Sequence, residues 1–123
     1  MATRVLIAED DAHIVESLSF ILRRAGYEVA AVADGEAALV RVRSQRSPDL
    51  LVLDVMLPLR NGFEVLQALR ADERTRALPV LMLTAKAQPH DRSMAEELGV
   101  DAYVTKPFSN QDVLDQVRRL TAR

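Results

Sequence analysis

Three short runs of this chain are apolar at every position: Val5-Leu6-Ile7-Ala8, Leu50-Leu51-Val52-Leu53 and Val80-Leu81-Met82-Leu83. A strand with one wet face alternates apolar and polar residues. A strand without alternation is covered on both faces, as in a parallel sheet flanked by helices. Tyr27 to Ala33 and Ala102 to Thr105 are weaker candidates for two further strands. This pattern constrains the fold more than any other feature of the sequence.

The stretches between the runs have helical period. Ile14, Leu18, Ile21, Leu22 and Ala25 share one face, and Gly26 suits the helix end that follows. Glu36 to Arg43 reads as a shorter helix. Phe63, Leu66 and Leu69 or Arg70 fit a third, entered through the turn-forming Asn61-Gly62. Pro89 starts a fourth, because a first-turn residue can do without its N–H, and that helix ends before Gly99. Val113, Leu114, Val117 and Leu120 mark a fifth, with Ser109 as its N-cap. Strand and helix thus alternate five times, and right-handed crossovers place helices on both faces of a parallel α/β sheet.

Composition narrows the function classes. The 123 residues suit one domain over 1–123, able to bury a core without staples, and there is no Cys. That excludes a disulfide framework, a cysteine-ligated zinc site and a thiol nucleophile. A net charge of −2 gives no electrostatic footprint for nucleic acid. No apolar run approaches the ~18 residues of a membrane span, and the apolar stretch after Met1-Ala2-Thr3-Arg4 is too short for a signal-peptide core. The expected location is the cytoplasm. Of the 16 basic residues only Lys86 and Lys106 are lysines, so each draws attention.

In open α/β sheets, ligands bind beyond the carboxyl ends of the strands. Glu9, Asp10 and Asp11 follow the first run, Asp54 the third strand, Thr84 the fourth, and Lys106-Pro107 the fifth. Each has an ordinary reading alone. Asp10 or Asp11 could cap the first helix, Asp54 could bond loop amides, Thr84 could cap or end a strand, and Lys106 could be a solvated surface lysine. Their shared position at one sheet edge argues otherwise. Carboxylates suit a hard cation such as Mg²⁺. A carboxylate can also act as a phosphoryl-accepting nucleophile. The added charge of about −1.5 to −2 then needs a cation and a hydroxyl nearby.

Four segments carry a family resemblance: Leu6-Ile7-Ala8-Glu9-Asp10-Asp11, Leu53-Asp54-Val55-Met56-Leu57-Pro58, Met82-Leu83-Thr84-Ala85 and Tyr103-Val104-Thr105-Lys106-Pro107-Phe108. In order and spacing they resemble the receiver domain of two-component response regulators, over essentially the whole chain. The resemblance implies a flavodoxin-like (βα)5 doubly wound parallel sheet with strand order 2-1-3-4-5. It implies that Asp54 accepts the phosphoryl group. By the same resemblance, Mg²⁺ is expected to be held by Glu9, Asp10, Asp54 and the backbone carbonyl of Met56. Lys106 matches the lysine that pairs with the phosphoryl group, Thr84 the switch hydroxyl, and Tyr103 the aromatic that follows it. The Lys106–Pro107 bond is expected to be cis.

The same resemblance implies a phosphorylation-dependent switch rather than a turnover enzyme. Its phosphodonor would be a sensor histidine kinase or a histidine phosphotransfer protein. Output would go to an effector protein or to an output domain outside this chain, through the fourth helix, fifth strand and fifth helix. That face is also a candidate homodimer surface: Arg92 and Asp112 match part of the dimer pattern of winged-helix regulators, whereas Ala102 and Gln116 depart from it. The acidic pair is Glu-Asp where Asp-Asp is commoner, and Asp11 is assigned to the helix cap. Met56 and Lys86 occupy positions that influence phosphate lifetime in the family. Two rival classes fit less well. A Mg²⁺-dependent aspartyl phosphatase needs a second Asp where Met56 stands. A flavin-binding carrier needs a phosphate-cradling loop where Glu9-Asp10-Asp11 would repel it.

Overall fold

The computed structural model describes residues 2–84 and 89–122. Five strands, β1 (Arg4–Ala8), β2 (Glu28–Val32), β3 (Leu50–Asp54), β4 (Val80–Thr84) and β5 (Ala102–Thr105), alternate with five helices. The helices are α1 (Ala12–Arg24), α2 (Gly35–Val42), α3 (Gly62–Ala71), α4 (Pro89–Glu97) and α5 (Asn110–Thr121). The sheet order is β2-β1-β3-β4-β5 and every pairing is parallel. The doubly wound, flavodoxin-like fold is therefore as expected. Ala85 and Lys86 lie outside the described residues.

The unalternating runs are buried on both sides. Leu6, Leu51, Leu53, Val80 and Met82 pack with α2, α3 and Ala95 of α4. Val5, Ile7, Leu50, Val52, Leu81 and Leu83 pack with Leu18 and Leu22 of α1 and with Val113, Leu114 and Val117 of α5. β2 and β5 are the edge strands and are only partly buried, which is why their sequence signal is weaker. α4 differs from the other helices: of its residues only Ala95 is fully buried. Among the described residues no helix is long and apolar enough to cross a membrane.

Helix starts follow local chemistry. Asp11 caps α1, its side chain accepting from the His13 amide at 2.9 Å. Asn61 and Glu64 form a reciprocal capping box at α3, and Ser109 caps α5. Ala25 departs from the sequence reading. It is the exposed C-cap of α1, where the chain turns through Gly26 at φ +100° and leaves the apolar face.

Candidate functional site

Asp54 ends β3, the central strand, and is 3% exposed. Its register partner is Leu83, so Thr84 lies one residue further along β4, at the same sheet edge. Thr84 is also buried. Its carbonyl accepts from the Lys106 amide at 2.7 Å, which ties the end of β4 to the start of the loop after β5. The Lys106–Pro107 bond is cis. Glu9 follows β1, and its amide donates to the Val32 carbonyl at 3.1 Å.

The loop after β3 is shaped by one glycine. The Gly62 amide donates to the Val55 carbonyl at 2.8 Å, drawing the start of α3 under the strand end. A Cβ at Gly62 would press on the Asp54 carbonyl and lie 2.8 Å from Val55 Cα. Only a residue without a side chain lets α3 begin there.

The side chains then converge. Lys106 Nζ donates to Asp54 Oδ2 at 3.0 Å and to Glu9 Oε1 at 3.1 Å. Asp54 Oδ1 accepts from the Met56 amide at 3.2 Å, and Glu9 Oε2 from the Asp11 amide at 3.1 Å. Carboxylate oxygens of Glu9, Asp10 and Asp54 all lie within 4.8 Å of one another. Asp10 is exposed, whereas Glu9 is 2% exposed. Lys106 is half-buried and doubly paired, not the solvated lysine that composition alone suggests.

Burial, reinforced by the adjacent Asp54, pushes the Glu9 carboxyl up to about 7. For Lys106, burial is the largest influence and acts downward. Its contacts with Asp54 and Glu9 together outweigh burial, so the ammonium is held above its ordinary value. The donor set is oxygen only, with a hard-ligand character that fits Mg²⁺. Among the described residues, Glu9, Asp10 and Asp54 are the side chains grouped closely enough to hold such an ion.

The structure thus brings together Glu9, Asp10, Asp54 and Lys106, and puts Thr84 beside them. Met56 follows in the loop with its side chain exposed. Tyr103 lies on β5 opposite Met82, half-buried. Two features were not legible from the sequence: the Glu9–Lys106 pair, and the Arg92 guanidinium, 4.7 Å from the centre of the Tyr103 ring. The first joins residues 97 apart in sequence, which no local pattern encodes.

An acidic cluster closed by its own lysine can take up an anionic group only when further positive charge helps. The cluster sits at the carboxyl edge of a doubly wound parallel sheet, where such folds bind their ligands. The chain belongs to the response regulator receiver domain family, whose match spans residues 5–118. It is 42% identical over its full length to the alkaline phosphatase synthesis transcriptional regulatory protein PhoP of Bacillus subtilis, covering 50% of that protein. It is also 42% identical, over 96% of its length, to the DNA-binding response regulator MtrA of Mycobacterium tuberculosis, again covering 50%. The chain therefore spans about half the length of the curated relatives it matches.

Solved structures agree. The chemotaxis response regulator CheY4 of Vibrio cholerae superposes with a TM-score of 0.89 at 32% identity, covering 98% of this chain and 99% of that one. The receiver domain of the sensor histidine kinase PA1611 from Pseudomonas aeruginosa gives 0.87 at 31% identity, with 98% of each chain covered. That structure holds a magnesium ion coordinated in its active-site cleft.

Proposed function

We propose that this chain is a phosphorylation-dependent switch of a two-component system, with Asp54 as the phosphoryl acceptor. The observation that carries the reading is Asp54 itself. It is a buried carboxylate at the end of the central strand, held 3.0 Å from Lys106 and grouped with Glu9 and Asp10. The phosphodonor is a histidine kinase or a histidine phosphotransfer protein. Asp54 attacks the phosphorus in line, the new O–P bond forms as the N–P bond breaks, and the departing imidazole takes up a proton. Phosphoryl transfer of this kind needs positioning and charge stabilisation more than covalent machinery.

Glu9, Asp10 and Asp54, with the Met56 carbonyl, would hold Mg²⁺, which when bound offsets the negative charge of the phosphoryl oxygens. The magnesium in the PA1611 receiver supports this assignment. Lys106 is released from the Asp54 carboxylate to pair with a phosphoryl oxygen, and the Thr84 hydroxyl donates to another. Tyr103 then turns toward the space Thr84 leaves, and the face of α4, β5 and α5 changes. This is a two-state element biased by a local charge. Water later hydrolyses the acyl phosphate.

The chain acts as a cytoplasmic switch rather than as an enzyme with a turnover substrate. Its output passes to a partner protein or to an output domain of a longer chain. Any contact with DNA would belong to that part, and a homodimer would form through α4, β5 and α5.

The test is direct. With Mg²⁺ and acetyl phosphate, intact mass spectrometry is expected to show one added phosphate that is acid-stable and base-labile. Asp54→Asn abolishes it. Labelling that survives the substitution would overturn the choice of acceptor.

A further inference from the structure

α4 is held to the body by little apolar burial. Each of the other helices buries at least three residues, whereas α4 buries Ala95 alone. A helix so lightly anchored depends on the few side chains that tie it down. One of these is conspicuous. The Arg92 guanidinium lies 4.7 Å from the centroid of the Tyr103 ring, within range for a cation–π contact. One turn further on, Glu96 Oε1 lies 3.6 Å from Arg92 Nε, an exposed ion pair on the same helix that favours this placement of the guanidinium.

Sheet geometry connects this stack to the site. Successive residues of a strand point to opposite faces. Met82 and Tyr103 are register partners and pack in the same core cluster as Ala95. Thr84, two residues after Met82, therefore points to that same face. The ring that α4 grips is thus on the side of the sheet where Thr84 lies. The Arg92 side chain is itself 65% exposed, and among the described residues its side-chain partners are Tyr103 and Glu96.

We propose that Arg92 is a positioning residue for Tyr103: its guanidinium latches the ring to α4, and the latch must open for the ring to move toward Thr84. This rests on the switch reading above and adds its restraint. The latch favours the resting state, so breaking it shifts the population toward the state that phosphorylation selects. A partly exposed cation–π contact corresponds to a shift of about two- to five-fold.

The chain has two tyrosines and no Trp, so Tyr27→Phe leaves Tyr103 as the sole tyrosine reporter. In that background the unphosphorylated protein is examined by tyrosine-ring NMR and by acrylamide quenching of tyrosine fluorescence. Arg92→Gln is expected to raise the population of a second ring state about two- to five-fold. Labelling of Asp54 by acetyl phosphate should speed up by a similar factor. Arg92→Lys, which keeps the charge, restores most of both effects, and Glu96→Gln gives a smaller shift in the same direction.

An unchanged ring signal in Arg92→Gln overturns the latch. So does a changed ring with unchanged labelling, or a loss of helicity by circular dichroism that Arg92→Lys fails to rescue, since Arg92 would then be packing only. Absence of labelling at Asp54 in the parent protein would overturn the proposed function instead. The ring measurement uses no phosphate and would still decide whether Arg92 holds Tyr103.

Discussion

Lys106 is the cation paired with both buried carboxylates, Asp54 and Glu9. Removing it leaves Glu9 and Asp54 facing each other without a cation. Lys106→Ala is therefore expected to lower the stability of the metal-free protein by about 1–3 kcal/mol, measured by urea unfolding at pH 7.5. Mg²⁺ should still bind, but phosphorylation should no longer change the Tyr103 signal. A normal Tyr103 response in that variant would remove Lys106 from the switch. Glu9 provides a separate, signed prediction. Its carboxyl titrates near 4.5 in an unfolded chain and at about 7 here, so between those values the folded state holds a proton that the unfolded state has lost. Stability contributed by the protonated form is full below about 4.5 and is lost as pH rises through about 7. Unfolding free energy of the metal-free protein should thus fall with pH across this window, by on the order of 1–3 kcal/mol. Glu9→Gln should flatten that slope. A slope identical to the parent's would show that Glu9 does not carry the proton.

At the scale of elements, the sequence revealed most where burial is complete. β1, β3 and β4 are covered on both faces and read as unbroken apolar runs. β2 and β5 have one neighbour each and half-exposed faces, so their residues obey a looser pattern. Helix starts were legible because Asp11, Asn61 and Ser109 act on amides two or three residues away. The site was legible as a set of strand-end residues, because the sheet brings strand ends to one edge. Which of them touch was not, since Lys106 meets Asp54 across 52 residues of chain. Gly62 shows the same limit. Its turn signal was evident, but the reason for a bare Cα is its contact with the Asp54 and Val55 backbone. Gly62→Ala should displace the start of α3 or the end of β3, costing about 1–3 kcal/mol as overpacking does. Denaturant melts measure the loss, and slower acetyl phosphate labelling of Asp54 should accompany it. A variant as stable and as readily labelled as the parent would mean that the loop yields freely.

At the scale of the whole molecule, the net charge of −2 hides a concentration of negative charge at one sheet edge, and Mg²⁺ bound there would make stability depend on the ion and on pH together. Magnesium binds carboxylates only in their ionised form, so at the proposed site it would compete with the Glu9 proton. Below about 7 Glu9 holds that proton, and binding must release it; well above 7 there is none to release. Affinity should therefore rise by up to about ten-fold per pH unit below that value and level off above it. An ion that binds only the folded state would raise stability by about 2.7 kcal/mol at a hundred times its dissociation constant. In a thermal melt at fixed Mg²⁺, the gain over an EDTA control should be clearly larger at pH 8 than at pH 6. Glu9→Gln should remove most of that difference, and Asp54→Asn should shrink the gain at both values. An equal gain at pH 6 and pH 8 would place Glu9 outside the ion's reach. No gain at either pH would mean that the carboxylates do not form a magnesium site, and the phosphoryl-acceptor reading would lose the cation it requires.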